Sequence, residues 1–132
     1  MDMPSRESKQ AKDERFDMVD ITQEVQKAVE EKSIEEGICL VYTTSVTASI
    51  LVTSTDNPAG HEDILEDLDR VFPDRGTFRF SGPALKGAAH AKSAVAGTSR
   101  DFIVKNGILD LAPSEGIFLT RFYKDEEAQY KV

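Results

Sequence analysis

The stretch ICLVYTTSVTASILVT, from Ile38 to Thr53, decides the fold class. It is rich in valine, isoleucine and threonine, which suit a pleated strand better than a helix. Because the run is longer than an average strand, it predicts two strands joined by a bend, both central in a sheet. Cys39, the single cysteine of the chain, lies inside the run and is expected to be buried as a small apolar residue.

Helical patterns flank this strand pair on both sides. Before it, residues 22–32 predict a helix with apolar residues at helical spacing and Asp20 or Thr22 as the N-cap. After it, Asn57 caps a second helix and Pro58 takes its first position. The apolar stripe of that second helix contains Ile64, Leu65, Leu68, Val71 and Phe72.

The rest of the chain favours strands. A short strand is predicted at residues 77–80, with Phe78 and Phe80 on one face. Asn106 and Gly107 form the strongest short hairpin signal, between FIV and ILDL. With IFLTRF and a final strand at residues 128–132, these segments predict a β-meander.

The element order predicts an α+β domain. A helix, strands, two helices and further strands do not give the regular alternation of a parallel α/β fold. We therefore expect a twisted antiparallel sheet or sandwich with about three helices, formed by residues 15–132. Residues 1–14 are polar and are expected to be flexible or to extend as an edge strand.

The charge balance restricts the partners. The chain has 24 acidic and 16 basic residues and a formal net charge of -8, which argues against a nucleic-acid binder. It also disfavours anionic membranes, and no apolar run is long enough for a spanning helix. The first residues lack the apolar core of a signal peptide, so we expect a cytoplasmic protein.

The third helix carries the best candidate for chemistry. It is predicted over residues 84–96, is rich in alanine, and presents His90 and Lys92 before Gly97 ends it. His90 is either a site residue or a surface histidine. His61, in the first turn of the second helix, is expected to be exposed and polar.

Two further patterns have more than one explanation. Backbone N–H groups around Gly97, Thr98 and Ser99 can form an anion-binding nest, although a helix C-cap explains the same glycine and is favoured. Neither histidine has a partner at metal-ligand spacing, so no metal is predicted. Metal storage or sensing through His61, His90 and nearby carboxylates remains the minor alternative.

Three segments in this order resemble one known family: TASILVTSTDNP (47–58), HAKSAVAGTS (90–99) and EGIFLTRF (115–122). They resemble the YjbQ-like family, small homotrimeric α+β proteins linked to a secondary thiamin-phosphate synthase activity, and the resemblance runs from about Phe16 to the C-terminus. It implies a homotrimer with a small anionic ligand near the subunit boundary. The sequence itself requires no cofactor. It also implies His90 and Lys92 as catalytic residues, and as substrate-binding residues Ser45, Thr47, Ser93, Gly97, Thr98 and Ser99.

The chain departs from the family's polar pattern at several of these positions. Family histidines fall on Ser45 and Phe80, an acidic or amide position before the helix histidine falls on Lys86, and an arginine falls on Glu126. A carboxylate in place of a guanidinium repels a phosphate group. The resemblance and these departures together imply a homotrimeric scaffold or binding module with a degraded site; the alternative that the resemblance implies is a thiamin-phosphate synthase-type enzyme acting on small phosphorylated compounds at a subunit-interface pocket around His90.

Overall fold

A computed structural model describes residues 2–4, 16–56, 58–79 and 82–132. The strands and helices are, in chain order, β1 (Asp2–Pro4), β2 (Asp17–Asp20), α1 (Thr22–Glu31), β3 (Glu36–Thr43), β4 (Ala48–Ser54), α2 (Pro58–Val71), α3 (Ala84–Ala96), β5 (Ser99–Lys105), β6 (Ile108–Leu109), β7 (Glu115–Arg121) and β8 (Gln129–Lys131). Sheet A has the strand order β1-β8-β3-β5-β6, and sheet B has the order β2-β7-β4. All pairings are antiparallel, which confirms the predicted α+β class.

The predicted strand pair divides between the two sheets. β3 lies in the centre of sheet A, as expected, whereas β4 is an edge strand of sheet B among the described strands. The bend at residues 44–47 therefore carries the chain from one sheet to the other. Between the sheets lies a core of fully buried side chains that includes Val41, Ile50, Ile117 and Leu119.

A second core lies on the other face of sheet B, beneath α2 and α3. Because side chains alternate across a strand, Phe118 faces away from the neighbouring Ile117 and Leu119 and packs in this layer. Met18, Leu65, Ala89 and Phe122 complete this layer. α3 therefore rests on sheet B through its small residues, which fixes the position of the polar side chains that it carries.

Two local signals give the structure that the sequence predicts, and a third does so only in part. The third helix has the predicted bounds, and Gly97 ends it with φ +95° while its N–H donates to Ser93 O at 2.9 Å. Asn106 and Gly107 have φ values of 53° and 77°, so the hairpin turn lies in the left-handed region. The N-cap of α1 is Ile21 and not the predicted Asp20 or Thr22, although the Asp20 carboxylate accepts the Thr22 N–H at 2.9 Å.

Two predictions about strands are wrong. Residues 77–79 form no strand, because the Phe78 ring packs against α3 at Gly87, where a Cβ would lie 3.0 Å from ring carbons. The meander does not form either, because β7 leaves sheet A and pairs with β2 and β4 in sheet B.

One residue differs from its predicted burial, and several others lie outside the residues that the structure describes. Val71 is 67% exposed and does not belong to the buried stripe of α2. The predicted cap Asn57, Phe80, and most of the N-terminal segment, residues 5–14, lie outside the described residues. Among the helices that are described, none has the length and apolar character needed to cross a bilayer.

Candidate functional site

His90 lies in a groove at one end of the sheets. We call this the His90 groove; it has a volume of about 510 Å³ and is bordered by α3, the β3–β4 loop and the start of β5. His90 is half-buried in its wall. The lining residues are Thr43, Thr44, Ser45, Val46, His90, Ser93, Ala94 and Thr98. The groove therefore combines one imidazole with several hydroxyl groups.

Hydrogen bonds hold α3 and the following turn against both sheets. The buried Ser93 hydroxyl donates to Ala48 O at 2.7 Å. Thr43 N donates to Thr98 O at 2.9 Å, and Ile50 N donates to Gly97 O at 3.3 Å. Because the Gly97 N–H is already used by the last turn of α3, a helix C-cap accounts for this glycine without a bound anion.

The β3–β4 loop is ordered by its own hydroxyl groups. Ser45 Oγ accepts the Thr47 N–H at 3.1 Å and lies 3.2 Å from Thr47 Oγ1. Thr43 Oγ1 accepts the Ser45 N–H at 3.2 Å and donates to Gln129 O at 2.6 Å. These local bonds restrict the loop without a regular backbone ladder, so Ser45 is presented to the groove in a defined position.

A second groove opens on the other side of the same loop. We call it the acidic groove; its volume is about 480 Å³ and it is lined by Thr44, Ser45, Val46, Glu126, Glu127, Ala128 and Gln129. It shares Thr44, Ser45 and Val46 with the His90 groove. The β3–β4 loop therefore separates the two neighbouring grooves.

Glu126 joins this loop to α3. Thr47 Oγ1 donates to Glu126 Oε2 at 3.0 Å, and Lys86 Nζ forms an ion pair with Glu126 Oε1. The hydrogen bond from Lys86 holds the pKa of Glu126 below its usual value against the opposing effect of desolvation, and the Thr47 bond and the electrostatic interaction with His90 also lower it. The same bond raises the pKa of Lys86. Sequence reasoning named both residues as departures from a pattern but did not predict that they pair.

Lys92 does not share a groove with His90. The two residues are separated by about 200° around the helix, since each residue turns it by about 100°. Lys92 is 1% exposed, and its Nζ lies 3.1 Å from Asp69 Oδ1 and 4.1 Å from the centre of the Phe16 ring. The predicted catalytic residues His90 and Lys92 are therefore not brought together.

Of the predicted binding residues, Ser45, Ser93 and Thr98 line the His90 groove. Thr47 is buried behind it and Gly97 lies in the adjoining turn. Ser99 is exposed at the start of β5, outside the groove lining.

His61 is placed differently from its prediction. It is 2% exposed rather than on the surface, with Nε2 2.7 Å from Ser54 O and its ring 4.7 Å from the Phe118 ring. Its position under sheet B, at the start of α2, separates it from the groove. Among the described residues, no group of three or more His, Cys, Asp or Glu side chains is placed to hold a metal ion.

Comparison with known sequences identifies a family over nearly the whole chain. The model of the family described as UPF0047 protein YjbQ-like matches residues 6–131. The UPF0047 protein YugU of Bacillus subtilis is 35% identical, over 82% of this chain and 81% of its own length. A UPF0047 protein of Methanocaldococcus jannaschii is 32% identical, over 82% of this chain and 77% of its own.

Solved structures have the same fold. An uncharacterized conserved protein of the YjbQ/UPF0047 family from Clostridium acetobutylicum superposes with a TM-score of 0.86 at 29% identity, covering 99% of this chain and 96% of that one. A YbjQ-like protein of unknown function from Sulfolobus solfataricus gives a TM-score of 0.84 at 25% identity, covering 98% and 91%. Sequence and fold together place this chain in the YjbQ-like UPF0047 family.

Proposed function

We propose that this protein is a homotrimeric binding module that holds a small anionic ligand in the His90 groove, with a reduced set of catalytic groups. The observation that carries the proposal is the composition of the groove, in which one half-buried imidazole faces a ring of hydroxyl groups. Hydroxyl groups and an imidazole N–H donate hydrogen bonds to an anion. Thr43 and Ser93 already donate their hydroxyl protons to backbone carbonyls, so the hydroxyls offered to the ligand are those of Thr44 and Thr98. A single imidazole does not provide a separate acid and base.

The placement of Lys92 supports a binding role over a catalytic one. Its ammonium is engaged by Asp69 and by the Phe16 ring, outside both grooves. A lysine that is buried in this way cannot reach a ligand beside His90 without a rearrangement of α3. Ser45 also stands where the family resemblance implies a histidine, and its hydroxyl is engaged by the loop.

A second candidate function is a thiamin-phosphate synthase-type enzyme, and one observation favours it. The carboxylate of Glu126, expected from sequence to repel a phosphate, is paired with Lys86 and accepts a hydrogen bond from Thr47. Because the adjacent ammonium offsets the negative charge, the repulsion of a phosphate is much smaller than for an isolated carboxylate. Where the family resemblance implies an acidic or amide residue and an arginine, this chain has Lys86 and Glu126, and these two side chains pair.

Incubation with the pyrimidine diphosphate and thiazole phosphate precursors of thiamin phosphate distinguishes the two functions. For a binding module we expect calorimetry to detect binding of at least one precursor, binding to be lost in His90→Ala, and no thiamin phosphate to form. Val95→Ala is the matched control, since Val95 lies on the same helix but is exposed outside the groove.

The outcomes differ between the two functions. Product that depends on His90 at high enzyme concentration overturns the binding module and supports the enzyme. Absence of binding to either precursor contradicts both functions.

A further inference from the structure

Another groove lies at the C-terminal end of α2, on the side of α3 away from His90. We call it the Arg75 groove; its volume is about 350 Å³, and its lining residues are Val71, Phe72, Pro73, Arg75, Phe78, Ala88 and Ala91. Around the helix, Ala91 lies about 100° and Ala88 about 160° from His90, because each residue turns it by about 100°. The Arg75 groove therefore shares no lining residue with the His90 groove.

The walls of this groove are apolar apart from Arg75. Phe72 and Phe78 contribute aromatic rings, whereas Ala88 and Ala91 contribute only methyl groups. Pockets for small molecules combine such walls with a few polar groups that fix the orientation of the ligand. Because aromatic side chains pack well against another ring, the walls favour a ligand that carries an aromatic ring.

The Arg75 guanidinium is available to an anion. It lies over the Phe78 ring, with Cζ 4.6 Å from the ring centre, and stacking of this kind leaves the N–H edges of a guanidinium open. Within the part of the chain that the structure describes, Arg75 makes no ion pair or hydrogen bond, whereas Arg70 lies 2.7 Å from Asp67. Phe78 is itself held against α3 at Gly87, so Arg75 stacks on an anchored ring.

The surroundings of Arg75 limit the charge of that anion. Asp74 is exposed beside it, and the last turn of α2 carries the negative end of the helix dipole. Arg79 is exposed in the same segment but does not line the groove. One guanidinium therefore matches a carboxylate better than a doubly charged phosphate. The net charge of -8 also repels a long acidic peptide more strongly than a small monoanion, because the repulsion grows with the charge of the partner.

We propose that the Arg75 groove is a second binding site, which takes a small aromatic monocarboxylate. The ring of the ligand packs against Phe72, Ala88 and Ala91, and its carboxylate accepts two parallel hydrogen bonds from Arg75. The site is independent of the ligand proposed for the His90 groove, since the two grooves have no lining residue in common.

The experiment is a titration of the full chain with phenylacetate, followed by proton–nitrogen correlation NMR spectra. We expect the amide signals of Ala88 and Ala91 to shift, with a dissociation constant of about 1 mM, as for a ligand of about ten non-hydrogen atoms. Arg75→Gln should weaken binding by about tenfold or more, because charge-assisted hydrogen bonds are lost. Arg79→Gln is the matched control and should bind like the wild type, since this exposed arginine lies outside the lining.

Phenylacetamide tests the charge of the ligand without any substitution in the protein. This neutral analogue keeps the ring and should bind the wild type about tenfold more weakly or worse. Equal binding of the two compounds, or unchanged affinity in a folded Arg75→Gln variant, overturns the role of the guanidinium.

Other outcomes overturn the site or its ligand class. Absence of any shift with phenylacetate overturns the site. Binding that is lost in His90→Ala but kept in Arg75→Gln places the carboxylate in the His90 groove instead. Tighter binding of phenyl phosphate, or of a peptide with phenylalanine between two glutamates, overturns the assignment to a small monocarboxylate.

Discussion

Two ion pairs in this molecule join the same kinds of groups in very different surroundings. Asp17 and Arg121 lie opposite each other on β2 and β7, with side chains 2% and 10% exposed, and Arg121 Nε donates to Asp17 Oδ1 at 2.7 Å within a two-bond contact. Lys86 and Glu126 meet at the rim of the grooves, with side chains 28% and 36% exposed. Only the first pair is withdrawn from water.

The difference determines what each pair contributes. Removing one member of a buried pair leaves an uncompensated charge in a medium of low polarity, which costs several kcal/mol. Removing one member of an exposed pair leaves a hydrated charge, and measured contributions of such pairs are about 0–1 kcal/mol. The Asp17–Arg121 pair is therefore needed for the stability of the fold, whereas Lys86 and Glu126 mainly determine the charge and shape of the grooves.

The pair Lys92–Asp69 lies between these two. Its ammonium is buried, but the carboxylate of Asp69 is 27% exposed. We therefore expect its two ends to respond differently to mutation, which makes it the most informative of the three pairs.

The largest expected effect is that of Asp17→Asn. The side chain keeps its shape but leaves the Arg121 guanidinium without its counter-charge, so the free energy of unfolding should fall by about 3–5 kcal/mol. Urea denaturation monitored by circular dichroism measures this change in the free energy of unfolding. The double variant Asp17→Asn/Arg121→Met removes both charges and should recover a large part of the lost stability. If Asp17→Asn lowers the free energy of unfolding by no more than about 1 kcal/mol, the contribution of an exposed pair, the contrast between the two pairs is contradicted.

The intermediate effect distinguishes the two ends of Lys92–Asp69. Asp69→Asn leaves a buried ammonium with a weaker partner and should cost about 1–3 kcal/mol. Lys92→Met replaces the ammonium with an apolar side chain, leaves Asp69 in contact with water, and should change the stability by less than about 1 kcal/mol. Thermal unfolding of both variants tests this order. Equal losses would show that the burial of the ammonium is not the controlling factor.

The smallest expected effect is that of Glu126→Gln, and it depends on pH. Because the folded protein lowers the pKa of Glu126, its ionised form stabilises the fold above the ordinary carboxylate value of 4.5, and this contribution is lost as the pH falls below that value. The stability difference between wild type and Glu126→Gln should shrink between pH 6 and pH 3, in about the range where glutamate side chains titrate. Glu127→Gln, which alters an exposed neighbour, is the control. A difference that stays constant with pH would contradict the lowered pKa.

Local signals in the sequence predict local structure well in this chain. The bounds of α3, the left-handed turn at Asn106 and Gly107, and the burial of Cys39 are confirmed. Each depends on interactions between residues close in sequence or on a dense apolar run, so no knowledge of distant contacts is needed. Burial also raises the pKa of the Cys39 thiol, in agreement with a structural role.

Features that depend on distant contacts could not be predicted in the same way. The strand predicted at residues 77–79 does not form because Phe78 packs on α3. The prediction that His61 is exposed did not account for its contacts with the Phe118 ring and Ser54 O. For the candidate site, His90 and most of its hydroxyl neighbours were predicted. The Lys86–Glu126 pair was not, because it joins an early turn of α3 to the β7–β8 connection.

The contact of Phe78 with Gly87 has a mechanical consequence for the groove. Since any side chain at position 87 would press on the aromatic ring, the segment that follows α2 is seated directly on the helix that carries His90. Gly87 and His90 are three residues apart and thus lie on neighbouring parts of one helical surface. We therefore expect a displacement of that segment to shift the helical surface that carries the imidazole, and with it the width of a groove that the segment does not touch.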